Sequence, residues 1–120
     1  MIWTKRIALI LLIICLGTVI DYFVHQMDPR FSVPSSYFPH KIFYGTLWGF
    51  AGYMVFKKYL KTTLWTAVVI SATPAVLLQI MYLIQMHLLA WVSVLFMFLH
   101  FLMFLLPGYF IVKKYRSIFG

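Results

Sequence analysis

Apolar residues in this chain come in long unbroken blocks, separated by short clusters of Lys, Arg, Pro and His. That pattern differs from the period-2 and period-3.6 stripes of elements that keep one face in water. The first block covers about 7–24 and follows Lys5 and Arg6. It approaches the roughly 20 residues a helix needs to span a bilayer. It leaves through Asp21-Tyr22-Phe23-Val24-His25 with no small-x-small cleavage pattern, so it reads as a retained helix rather than a signal peptide. Further helices are expected at about 37–56, 63–85 and 88–112. Ser35 or Ser36 is placed to cap the second. Pro74 predicts a kink in the third, its freed carbonyl met by Ser71 or Thr73, and Pro107-Gly108 a mild break in the fourth. A proline-containing outer loop at about 26–36 and a tight turn at Gln85-Met86-His87 complete the outer side.

The expected fold is therefore all-α: a polytopic membrane protein with four transmembrane helices arranged as two hairpins in a single domain, 1–120. Of the ten Lys and Arg residues, only Arg30 and Lys41 fall on the outer side, close to Asp28 and Asp21 respectively. The others gather at the inner ends of the blocks, which predicts cytoplasmic N- and C-termini. Gly52-Tyr53-Met54-Val55-Phe56-Lys57-Lys58-Tyr59 resembles Gly108-Tyr109-Phe110-Ile111-Val112-Lys113-Lys114-Tyr115. The echo fits an internal duplication of one hairpin, and equally the convergence of helix ends on Tyr and Lys at a membrane interface.

Composition sharpens this picture. The chain is 64% hydrophobic and only 10% charged, against about 25% charged in ordinary soluble domains. The net charge of +8 would raise nucleic acid as a partner in a soluble protein. Here the charges sit where positive-inside topology puts them, so the lipid bilayer is the expected partner and nucleic acid is not. The one cysteine, Cys15, lies inside the first block and has no partner for a disulfide or a Cys-x-x-Cys site.

Polar and small residues share helix faces. Gly17, Thr18, Asp21 and His25 fall on one arc of the first helix, and this face should point inward, because an ionisable group aimed at lipid is costly. Gly45, Gly49 and Gly52 line one face of the second helix, a close-approach surface whose expected neighbour is the Gly17 face, with a homo-oligomer or a partner membrane protein as the competing use. Thr66 and Thr73 on the third helix and His100 on the fourth are intramembrane polar groups. His100 shares a seven-residue stripe with Ser93 and Pro107 and is expected to bond Thr66, Thr73 or Ser71, or to act as a proton relay.

The chemistry-bearing residues concentrate between 21 and 52. Asp21, His25 and His40 are the candidate acid/base groups, and with His87 the candidate ligands for zinc, iron or manganese. Asp21 and His25, one turn apart, also fit a carboxylate that orients an imidazole. Nearby Met27 and Met86 add a thioether option for copper. No assembled nucleophile, base and oxyanion hole is recognisable around Ser35, Ser36 and His40, and the chain has no glutamate. Asp21-x-x-x-His25 resembles the Asp-Lys-x-x-His signature of VanZ-like membrane proteins, with Tyr22 in the lysine position and the motif ending a first helix rather than opening a later one. Nothing beyond those residues carries the resemblance, and no role is transferred from it.

Two functions are compatible with these features. One is a small non-enzymatic membrane protein, either a compact transport or channel unit that oligomerises or an accessory subunit of a membrane complex. The other is a membrane-embedded metal-dependent enzyme acting on a lipid or prenyl substrate through the outer Asp/His cluster.

Overall fold

The computed structural model of the chain describes residues 2–27, 36–86 and 90–119, excluding the side chains of 82, 83, 85, 86, 90, 92 and 93. Most of the expected outer loop, with Asp28 and Arg30, and His87 of the second turn lie outside the described residues. All described elements are helical: α1 (Ile2–Gln26), α2 (Tyr37–Phe56), α3 (Thr63–Met86), α4 (Ala90–Lys114) and a short α5 (Arg116–Phe119). A 3-10 turn at Lys57–Tyr59 links α2 to α3.

Among the described residues, three segments are long and apolar enough to cross a membrane: Ile2–Gln26, Thr63–Met81 and Val94–Lys114. The 20-residue α2, which carries Pro39, His40, Lys41 and three glycines, is not among them. Pro39 is tolerated there because the first-turn N–H groups have no intrahelical acceptor. Ser36 precedes α2 without a side-chain cap; its carbonyl instead accepts from the His40 N–H at 3.2 Å.

The long helices close a ring in which α1 packs on α2 and α4, and α3 packs on the same two from the other side. The core is drawn from every wall: Ile10, Ile13 and Ile14 from α1, Tyr53 from α2, Ala67 and Ile70 from α3, Phe104 and Val112 from α4. Exposed Leu, Phe, Val and Trp side chains cover the outside, including Phe43, Val55, Trp65, Trp91 and Leu106. This inside-out distribution is what a helix set bathed in lipid requires, where tight packing rather than water exclusion holds neighbours together.

Glycine sets the spacing at several contacts. A methyl group at Gly45 would meet the Ile14 side chain at 2.9 Å, and one at Gly49 would lie 3.2 Å from the Ile70 carbonyl. That carbonyl is the one Pro74 strips of its intrahelical donor. The sequence led us to expect Ser71 or Thr73 beneath it. Thr73 instead donates to the Val69 carbonyl at 2.8 Å and packs its hydroxyl against Gly52, so the freed carbonyl faces the bare backbone of α2. Gly17 also departs from expectation. It faces Phe104 and the Met103 carbonyl of α4, not the α2 glycines, because α1 turns Ile10 and Ile14 toward α2.

Two features of the basic end were not anticipated. α1 begins at Ile2 rather than near 7, since helix and apolar block need not start together. Arg6 is buried within it, stacking at 4.5 Å from the Trp3 ring centre and donating from Nε to the Ile118 carbonyl at 2.8 Å. α5 then folds across this end, with Phe119 buried and its carbonyl accepting from the Tyr53 hydroxyl at 2.5 Å.

Candidate functional site

At the opposite end of the ring from α5, three helices aim ionisable side chains at one another. Asp21 of α1 is 1% exposed and Lys41 of α2 is 0% exposed. The Lys41 ammonium donates to Asp21 Oδ2 at 2.5 Å. His25, one turn beyond Asp21, places Nε2 3.4 Å from the same oxygen. His100 of α4 places Nε2 3.3 Å from Oδ1. Counted at 1.5 Å per residue from Arg6, Lys57 and Lys113, the three contributing positions lie at nearly one height, roughly 20–24 Å above the basic end. Gln79 of α3, also buried, falls at about that level.

Local sequence explains why these groups converge. On α2, Lys41 stands one turn before Gly45 and shares the stripe 41, 45, 49, 52 that packs inward. On α4, His100, Phe104 and Gly108 form the equivalent inward stripe. Gly17, lacking a side chain, admits the Phe104 ring against α1. The Lys41 ammonium then sits between two aromatic faces, 5.4 Å from the Phe104 ring centre and 5.5 Å from that of Tyr37. Such contacts favour a cation in a desolvated setting. The Thr18 hydroxyl is occupied within its own helix, donating to Ile14 O at 2.7 Å.

The His100 ring has a defined orientation. Its Nδ1 lies 2.8 Å from the Phe96 carbonyl oxygen. A carbonyl oxygen only accepts, so Nδ1 carries the hydrogen of that bond. In the neutral ring Nε2 then holds a lone pair, and it faces a carboxylate oxygen that also only accepts. Nε2 makes no hydrogen bond of good geometry in this arrangement. A proton placed between Nε2 and Oδ1 turns two opposed acceptors into a charge-assisted hydrogen bond.

The same geometry bears on metal binding. Among the described residues, Asp21, His25 and His100 each offer a ligand atom, and these atoms lie within 4.8 Å of one another. Imidazole and carboxylate suit zinc or iron. However, the Lys41 ammonium already occupies the Asp21 carboxylate, and a divalent ion would have to displace it or share a low-dielectric site with it.

Of the residues expected to form this site, Asp21 and His25 are brought together. His40 is exposed and its ring lies tilted against that of Tyr44, centres 4.4 Å apart, on a different side of α2 from Lys41. His100 joins Asp21 instead of the expected Thr66, Thr73 or Ser71. Thr66 donates to Thr62 O and accepts from Arg116 at 3.2 Å, near the basic end. Lys41, recognised in the sequence only as an outer cation near Asp21, and His100 are the two residues that the sequence does not place in the site.

Comparison of the chain with protein-family models, with curated proteins and with solved structures found no match.

Proposed function

We propose that this chain is a four-span integral membrane protein of non-enzymatic type, with cytoplasmic termini, acting as a small transport unit that loads a proton at Asp21 and His100. One observation carries the reading: His100 Nε2 and Asp21 Oδ1 face each other at 3.3 Å as two acceptors, buried among helices and lacking only the proton between them. Ionisable residues inside membrane helices are costly and are retained where they line ion or proton paths. Lys41 neutralises Asp21 in the resting state, so uptake of the extra proton makes the site cationic and weakens the Lys41 pair.

The apolar layer of Ile10, Ile13, Ile14, Ile70 and Phe104 separates this site from the basic end. A proton therefore crosses only when helices shift. α3 and α4 run unbroken through Pro74 and Pro107, without the break expected at Pro107-Gly108, but each proline removes one intrahelical hydrogen bond, and such a shift would concentrate there. Assembly of copies, or association with a partner subunit, belongs to the same reading, because the apolar outer surface of the helices is available for it.

The test is proton flux into liposomes that hold a pH-sensitive dye and are driven by a potassium diffusion potential. The protein should conduct protons above empty vesicles, and Asp21→Asn should return the flux to that background. Equal flux in the variant, or none in the native protein, would remove the reading.

The metal-dependent enzyme is the second reading, favoured by the convergence of three ligand atoms within 4.8 Å. The ammonium on the carboxylate makes it the weaker one.

A further inference from the structure

The basic end holds a second concave site, which the proton-loading reading does not use. A cavity of about 460 Å³ opens there, lined by Lys57, Lys58, Lys61 and Arg116 together with Met54 and Val55. Its volume lies within the roughly 300–1,000 Å³ of ordinary ligand sites. The sequence contains two acidic residues, Asp21 and Asp28, and among the described residues no acidic side chain lines this cavity. Four cations thus share one hollow, with no acidic side chain beside them among the described residues.

Arg116 is held in place before any ligand arrives. Its guanidinium donates to Thr66 Oγ1 and to the Leu60 carbonyl, each at 3.2 Å, and these contacts use two of its five N–H donors. The lysines are less fixed: the Lys57 ammonium leans on the Trp3 ring at 4.9 Å and the Lys58 ammonium on Tyr59 at 5.2 Å. Both keep ammonium hydrogens for an anion. A fixed guanidinium fork surrounded by movable ammonium groups is well matched to phosphate oxygens. Met54 and Val55, exposed on the outer surface of α2, give the wall beside this charge an apolar character. A soluble anion has no use for that wall, whereas an acyl chain does.

We infer that this cavity binds the phosphate headgroup of an anionic membrane lipid, with the acyl chains descending along Met54 and Val55. The inference depends on the chain being embedded in a membrane and is independent of the Asp21 and His100 chemistry. Lipid occupancy can therefore succeed where proton flux fails, and the reverse.

Native mass spectrometry of the full chain in mild detergent provides the test, using phosphatidylglycerol and phosphatidylcholine with identical acyl chains. The native protein should retain phosphatidylglycerol preferentially. The triple variant Lys57→Gln, Lys58→Gln, Lys61→Gln should lose that preference by at least about tenfold, through loss of charge-assisted hydrogen bonds to the phosphate. A control of equal charge loss, Lys5→Gln, Lys113→Gln, Lys114→Gln, should keep it, since these exposed residues do not line the cavity. Equal loss in both variants would reduce the effect to general surface charge and overturn the site. Full displacement of the lipid by inorganic phosphate would make the occupant a soluble anion, overturning the lipid assignment.

Discussion

The ammonium of Lys41 lies 2.5 Å from the carboxylate of Asp21, and both side chains are sealed from solvent between the long helices. A buried pair of this kind costs desolvation on both sides, so its worth is seen most clearly when one member is removed. Asp21→Asn leaves Lys41 charged and unpaired and should destabilise the protein by about 3–5 kcal/mol. Asp21→Asn combined with Lys41→Met should recover much of that loss. Thermal unfolding in a fixed detergent compares the two; a double variant no better than the single one would show that the pair is not the unit that matters.

Lys41 also decides the metal question. As isolated, the native protein should hold well under one zinc per chain, whereas Lys41→Ala vacates the Asp21 oxygen and should bind zinc through Asp21, His25 and His100. Elemental analysis after dialysis against zinc reads the difference. Stoichiometric metal in the native protein, lost on His25→Ala, would favour the enzyme reading instead.

Glycine substitutions should rank by what their new methyl group meets. At Gly17 it enters the Phe104 ring, which packs against the Lys41 ammonium, and also nears the Met103 carbonyl at 3.1 Å. At Gly108 its nearest neighbour is the Ser71 hydroxyl, also at 3.1 Å, and a hydroxyl can rotate away. Gly17→Ala should cost about 1–3 kcal/mol, the usual toll of overpacking. Gly108→Ala should cost less in the same unfolding assay.

Removing the hydroxyl that holds α5 should loosen that helix. Tyr53→Phe deletes the bond to the Phe119 carbonyl, worth about 1 kcal/mol. Hydrogen exchange at Arg116–Phe119 should accelerate while the α1 core around Ile13 stays protected.

Much of the architecture could be read from the order of residues. Hydropathy located α2 at 37–56 and α3 within a residue of its end, because charge and proline clusters punctuate the chain. Rotation about each helix was harder. The arc of Gly17, Thr18, Asp21 and His25 does place Asp21 inward, since both charge and small size argued for the same face. On α4 the seven-residue stripe through Ser93 and Pro107 drew attention from the better one, His100, Phe104 and Gly108, at four-residue steps. On α2 the glycine stripe already extended back to Lys41, while His40 fell off it by a hundred degrees. A lysine looks like a surface residue until its partner is known, and that partner is twenty positions away. α5 carried no periodic signal at all, being four residues long and held by Arg6 and Tyr53 from distant parts of the chain.

The claim that a proton bridges His100 and Asp21 is tested most directly by nitrogen NMR of the histidine rings in lipid, recorded as the pH is lowered stepwise. As the pH is lowered, His100 Nε2 should pass from a bare to a protonated, strongly hydrogen-bonded nitrogen, and Asp21→Asn should abolish the strongly bonded form. A His100 signal that stays unprotonated throughout, or one that titrates identically in the Asp21→Asn variant, would contradict it.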